Sequence, residues 1–168
     1  ITSYQYDLDG NQTTVTDANG KVTTSVFSGT SNRLSASVDS NGLRTTFTYD
    51  LAGQQTAIQD ARGNSTTFTY DNAGRVQTQK NAVGNVTTHL YDLAGRNTTL
   101  IDALGNVRTM TYDALSRKVT VQYANGNRLT MQYDALSRLT TMMDNGGTTT
   151  NTYTARGELA TQIVPGGY

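Results

Sequence analysis

The feature that most constrains the fold of this chain is a beat of 21 residues. Tyr-Asp pairs occur at Tyr6-Asp7, Tyr49-Asp50, Tyr70-Asp71, Tyr91-Asp92, Tyr112-Asp113 and Tyr133-Asp134, the last five each 21 positions apart. Phe27-Ser28 fills the slot missing between the first two, in a unit lengthened by one residue, and Tyr153-Thr154 opens a degenerate unit after a 20-residue step. Self-similarity at a fixed period marks a repeat architecture, in which each unit is one supersecondary motif supported by its neighbours. Residues 1–168 read as a single array of units starting near 6, 27, 49, 70, 91, 112, 133 and 153. The pattern is already running at Ile1 and still running at the last unit, which reads as a window on a longer chain.

Each unit carries two turn signals. Gly20, Gly42, Gly63, Gly84, Gly105, Gly126 and Gly147 hold one equivalent position, and Asp17, Asp39, Asp60, Asp102 and Asp144 stand three residues before five of them. Asp-x-x-Gly predicts a type I turn in which the carboxylate caps its own backbone and glycine takes the residue with positive φ. The other signal follows Tyr-Asp, with glycine at Gly10, Gly53, Gly74, Gly95 and Gly157. Serine replaces it at Ser116 and Ser137, which suggests a softer requirement there.

Between the turns lie segments of five to seven residues rich in Thr, Val, Tyr and Phe, the length and content of β-strands. In the second strand of each unit, period-two stripes such as Thr66-Phe68-Tyr70, Thr87-His89-Tyr91 and Leu129-Met131-Tyr133 put aromatic or Met residues on one face. In the first strand the apolar slot holds Val15, Ile58, Leu100, Val121 and Met142. No stretch keeps a helical period between caps. The predicted fold is all-β: tandem hairpins of about 21 residues forming one long antiparallel sheet. Twist must coil such a sheet or roll it into a spiral, as part of a shell or fibre.

Composition removes whole classes of function. Thirteen basic and 13 acidic residues give zero net charge, against a nucleic-acid partner, which needs a basic surface. No apolar window is long enough for a membrane-spanning helix. There is no cysteine and one histidine, so disulfides and transition-metal clusters have no ligands. With 35% apolar residues, any core is thin.

Candidate sites dissolve into the repeat. Of 12 aspartates all but Asp9 fall on one of the two turn positions, which marks them as turn caps and not as a catalytic pair. His89 occupies the slot of Phe68, Met110 and Met131 and reads as a packed ladder residue. Asp7-Leu-Asp9-Gly-Asn11 begins like a calcium loop but has Gln12 and Ala18 where glycine and glutamate are required. Arg33, Arg75, Arg96, Arg117 and Arg138 recur after the first turn and suit pairing with a turn aspartate or stacking on a tyrosine. Asn11, Asn64, Asn85 and Asn97 lie in N-x-[ST] sequences that a glycan could use. No catalytic, cofactor-binding or metal-binding residue is assigned, and no cofactor is expected.

The paired signatures, seen most fully in Tyr91-Asp-Leu-Ala-Gly-Arg96 and Asp102-Ala-Leu-Gly-Asn106, resemble the YD repeats of the Rhs family. That family includes bacterial polymorphic toxins, BC components of Tc toxins, wall-associated YD-repeat proteins and animal teneurins. The resemblance covers Tyr6 to about Tyr153. It implies a β-ribbon spiralling into a hollow shell, which in the toxin members encloses a C-terminal effector. The sequence departs from those members in having one proline, Pro165, and no Asp-Pro self-cleavage motif.

The expected function is a non-catalytic structural scaffold of a large secreted or cell-surface bacterial protein, a shell wall around a C-terminal toxin. Its partners would be neighbouring repeats and the enclosed domain. The alternative is a repeat unit of an extracellular filament or adhesin, glycosylated or binding surface glycans through its tyrosine-rich face.

Overall fold

The computed structural model describes residues 1–29 and 31–166. All regular structure among them is β, in two compact units spanning residues 1–86 and 87–168. The first unit holds β1 (Ser3–Tyr6), β2 (Gln12–Thr16), β3 (Val22–Phe27), β4 (Leu34–Val38), β5 (Arg44–Tyr49), β6 (Gln55–Gln59), β7 (Ser65–Tyr70) and β8 (Val76–Lys80). The second holds β9 (Val86–Tyr91, its first residue excepted), β10 (Asn97–Ile101), β11 (Val107–Tyr112), β12 (Lys118–Gln122), β13 (Arg128–Tyr133), β14 (Leu139–Asp144), β15 (Gly147–Tyr153) and β16 (Leu159–Ile163). Within each unit every strand pairs antiparallel with its neighbours in the chain, without crossovers. The fold is the all-β tandem hairpin array that the 21-residue beat predicts.

The two hairpins of a repeat differ. Hairpins closed by the Asp-x-x-Gly turn run in unbroken register, as in Thr99↔Thr109, Leu100↔Arg108 and Ile101↔Val107. Hairpins closed by the Tyr-Asp turn carry a β-bulge beside the turn, with the extra residue on the strand that follows it. Tyr49 pairs with Gln55 while Thr48 pairs with Ala57, which leaves Thr56 over, and Tyr112 pairs with Lys118 while Thr111 pairs with Thr120. A bulge strands ladder groups and sharpens local twist. Hydroxyls at the extra residue take up the stranded carbonyl. Thr13 donates to the Gln5 carbonyl at 3.3 Å, Ser35 to Val26 at 3.0 Å, Thr98 to Leu90 at 3.3 Å and Thr140 to Gln132 at 3.2 Å. Part of the threonine excess therefore serves the backbone.

One face of the sheet is the better covered. On β7 Phe68 and Tyr70 are half-buried while Thr67 and Thr69 are exposed. On β11 Met110 is buried and Thr109 and Thr111 face solvent. The apolar slots of adjacent strands meet on this face, with Phe47 opposite Ile58, Met110 opposite Val121, and Met131 opposite Met142. Only Ala36, Met110 and Val121 are buried apolar residues among those described. The core is a seam one side chain deep.

Turn geometry corrects two expectations. Ser116 and Ser137 adopt φ of 62° and 63°, the same left-handed region as the glycines they replace, so the requirement there is not softer. Serine bears the steric cost of that conformation. Gly147 does not act like the other turn glycines. Its hairpin is a two-residue loop, Asn145-Gly146, with Asp144 paired directly to Gly147, which starts β15 at φ 132°. Deletion of one residue from this unit has shortened the loop and moved the glycine into the strand.

A Cβ on Gly105 would meet no atom within 4 Å, so Gly105→Val tests backbone strain alone. It should cost about 1–3 kcal/mol in urea denaturation. Ser116→Gly should raise stability by about 0.5 kcal/mol, the relieved strain exceeding the added freedom of the unfolded chain. If the two changes are equally tolerated, the turn geometry is wrong.

Candidate functional site

The repeated signature residues converge on one device, an electrostatic clamp built on the turn aspartate. Its main-chain N–H and C=O close the turn, as when Asp113 N donates to the Arg117 carbonyl and Ser116 N donates to the Asp113 carbonyl, both at 3.0 Å. This is a type I turn followed by a left-handed residue. The first carboxylate oxygen then accepts main-chain N–H groups two and four residues on, Leu115 and Arg117 at 2.9 Å each. The second oxygen accepts from the side chain four residues on.

In the Tyr-Asp turns of Asp71, Asp92, Asp113 and Asp134 that side chain is arginine. Arg75, Arg96, Arg117 and Arg138 donate through Nε to Asp71, Asp92, Asp113 and Asp134 at 2.6–2.7 Å. In two of the Asp-x-x-Gly turns it is asparagine, with Asn64 reaching Asp60 at 2.8 Å and Asn106 reaching Asp102 at 2.9 Å. The first Tyr-Asp turn also uses asparagine, Asn11 reaching Asp7 at 3.0 Å. Gly-Arg and Gly-Asn are thus two versions of one contact.

The arginines also bind the next repeat. Arg96, Arg117 and Arg138 lie over the rings of Tyr112, Tyr133 and Tyr153, 5.1, 4.9 and 4.6 Å from their centroids, and in the first unit Arg33 lies 5.9 Å from that of Tyr49. Arg96 donates on to the Asp113 carbonyl and Arg117 to the Asp134 carbonyl, both at 3.0 Å. Each of these tyrosines reaches back in turn. Tyr49, Tyr70, Tyr112, Tyr133 and Tyr153 donate their hydroxyls to the carbonyls of Leu34, Gln55, Asn97, Lys118 and Leu139 at 2.7–3.0 Å. Each accepting residue directly precedes the extra residue of a bulge and pairs with the preceding repeat's Tyr or Phe. Sequence reasoning offered aspartate pairing and tyrosine stacking as alternatives for these arginines; Arg96, Arg117 and Arg138 make both. The bulge was not foreseen, because a one-residue slip leaves no mark in a 21-residue count.

Clamping favours the ionised carboxylates. Asp71 is held below the ordinary carboxylate range first by the Arg75 side chain, and Asp92 and Asp134 first by the main-chain N–H of Arg96 and Arg138. At Asp113 partial desolvation is the largest single influence and pulls upward, but the Arg117 main-chain and guanidinium bonds together overcome it. Asparagine side chains come first in lowering Asp7, Asp60 and Asp102.

The remaining candidates lie apart. His89 is half-buried on β9, its Nδ1 3.0 Å from Asn97 Nδ2 and its ring stacked 6.4 Å from Tyr91. Asn97 sits in strand β10 with a buried Oδ1, which suits a glycan poorly. Asn64 and Asn85 are on exposed turn ends, and Asn11 is half-buried between Asp7 and Asn32. Among the described residues no three His, Cys, Asp or Glu groups converge as a metal site.

Two measurements test the clamp. Groups with lowered folded pKa stabilise the fold above the unfolded value of about 4, and that stabilisation is lost as pH falls through the lower folded values. The melting temperature should be flat from about pH 7 to 5 and drop below about pH 4, less steeply in Asp113→Asn. A flat curve to pH 3 would contradict the clamp. A double-mutant cycle of Arg117→Ala and Tyr133→Leu should give a coupling of about 0.5–1 kcal/mol, whereas strict additivity would remove the stacking contact.

The repeat and its fold are found in known proteins. The profile of the RHS Repeat family matches residues 30–65, 51–86, 70–107 and 91–128. Among solved structures, the chain superposes on the Photorhabdus luminescens Tc holotoxin pore with a TM-score of 0.78 and 18% identity, covering 95% of this chain and 10% of that one. It also superposes on TcdB2-TccC3 without its hypervariable C-terminal region, with a TM-score of 0.60 and 16% identity over 94% of this chain and 11% of the other. At such identity the likeness is one of fold, and the chain spans about a tenth of the length of these relatives. No curated protein matches it in sequence. Overlapping family matches from residue 30 to residue 128 cover more than half of the sequence, and the chain belongs to the RHS repeat family.

Proposed function

We propose that this chain is a length of structural wall in a secreted or cell-surface bacterial protein, one that encloses a C-terminal toxin domain and carries out no catalysis itself. The supporting observation is the clamp. The turn aspartates accept main-chain N–H groups of their own turns, and Arg75, Arg96, Arg117 and Arg138 are engaged with them in one recurrent geometry. A reacting centre needs groups aimed at one point, and the engaged carboxylates and guanidiniums here are aimed at the backbone and at each other. Leu8 and Leu51 in the first unit and Leu93 in the second are fully exposed at Tyr-Asp turn tips. Recurrent exposed leucines suit an edge that packs against further wall.

The fibre or adhesin reading makes a different particle from the same repeats. Electron microscopy of the native protein that contains this chain separates the two. The wall reading expects a closed hollow particle whose C-terminal segment resists added protease until the particle is opened. A continuous filament with that segment digested at once would overturn it.

A further inference from the structure

Four turns carry the dipeptide Asn-Gly: Asn19-Gly20, Asn41-Gly42, Asn125-Gly126 and Asn145-Gly146. In such a pair the glycine main-chain nitrogen can attack the asparagine carboxamide, because glycine has no side chain to hinder the approach. The bonds of each turn decide whether it does. In the first three, the glycine N–H donates across the turn to a main-chain carbonyl, of Asp17, Asp39 and Tyr123, at 3.0, 3.0 and 3.1 Å. A neutral carbonyl is too weak a base to take that proton, and these glycines are fixed at φ of 79°, 81° and 86°.

The fourth turn differs. Its loop is short, so the positive φ falls on Gly147, and Gly146 N donates at 2.8 Å to carboxylate Oδ1 of Asp144. A carboxylate can accept the proton that the nitrogen must lose to become a nucleophile. The Asn145 carboxamide is held at both ends by the turn between β12 and β13. Its Oδ1 accepts a long bond of 3.5 Å from Arg128 N, and its Nδ2 donates to Asn127 Oδ1 at 2.8 Å. The first bond sits where the carbonyl oxygen becomes an anion under attack. The second steadies the nitrogen that leaves. Asp144, Asn145 and Gly146 are all exposed, so water reaches them.

We propose that Asn145-Gly146 is a self-modifying site, at which Asp144 is the base that converts Asn145 to isoaspartate and aspartate. The Gly146 N–H proton passes to the Asp144 carboxylate as the nitrogen bonds to Asn145 Cγ, giving a tetrahedral oxyanion beside Arg128 N. Collapse breaks the Cγ–Nδ2 bond, and the leaving nitrogen takes the proton back from Asp144 and departs as ammonia. One water then opens the remaining succinimide. Attack at Cγ leaves aspartate, and attack at the main-chain carbonyl routes the chain through the side chain and leaves isoaspartate. Isoaspartate adds one main-chain atom to a loop that deletion has shortened. Either product sets a second carboxylate beside Asp144 and removes the amide that donates to Asn127, which loosens the β14–β15 hairpin from the neighbouring turn. Because the ammonia is lost, the mark accumulates with the age of the molecule.

The test is incubation of the folded protein that contains this chain in H₂¹⁸O at neutral pH, followed by peptide mapping with mass spectrometry and isoaspartyl methyltransferase labelling. Asn145 should take up ¹⁸O and form isoaspartate about tenfold faster than Asn19, Asn41 and Asn125. In urea the four rates should converge as the turns are lost. Asp144→Asn keeps an oxygen for Gly146 N but removes the base, and should slow conversion at Asn145 about tenfold. Unchanged rates at the other three sites in that variant show that its turns are intact. Conversion at Asn145 no faster than at the other three in the folded protein would overturn the proposal. So would an unchanged rate in Asp144→Asn, or ¹⁸O uptake without isoaspartate.

Discussion

One carboxylate, bound on both oxygens, carries the structure. In a hairpin, the costly step is fixing a turn whose strands gain little alone, since a two-stranded unit is marginal in water. The turn aspartate fixes it with two main-chain bonds on one oxygen and holds an arginine or asparagine four residues on with the other. Arg96, Arg117 and Arg138 extend that order by crossing to the next repeat's tyrosine and carbonyl. Local turn closure and inter-repeat docking therefore draw on the same charge. Surface ion pairs are worth little in isolation; here the pairs are about a quarter exposed and part of a linked network, and their value lies in the geometry they impose.

Thin burial makes this necessary. The three buried apolar residues among those described cannot hold 16 strands by the hydrophobic effect alone. Backbone hydrogen bonds supply the continuity, and the sequence protects them where the ladder is interrupted. At each bulge where the extra residue is Thr13, Ser35, Thr98 or Thr140, a hydroxyl covers one stranded carbonyl, and tyrosines of following repeats cover others. Asn151 shows the same economy in the seam. It occupies the slot of Met131, and buried there it donates to the Leu139 carbonyl and accepts from Gln162, so a polar residue replaces an apolar one without an unmet bond.

The strands, the turn positions and the preferred face were legible in the sequence because period and composition encode them directly. Phe68, Met110 and Met131 alternate with threonines, and glycines recur where φ is positive. What was hidden depends on register. The bulge opposite Tyr49 or Tyr112 adds a residue to one strand and shows only when partners are paired. The double role of Arg117 needs a crossing of 17 residues to Asp134, which spacing alone does not reveal. Gly147 was misjudged because alignment by period hides a shortened loop, and Ser116 because substitution was read as tolerance when the backbone demanded the same conformation.

Departures from a strict repeat sort by what the backbone still needs. Where Asn81 or Ser28 replaces aspartate, a side-chain oxygen remains to accept the turn N–H, at 2.9 Å from Asn85 N in the first case and 3.3 Å from Arg33 N in the second. Those exchanges conserve the capping role. Tyr123 conserves nothing of that role and shifts it to Asn125. A repeat that gives up a side-chain cap at one turn and keeps the turn through a neighbouring asparagine shows that the backbone needs an acceptor oxygen beside its free N–H, and not an aspartate at one fixed position.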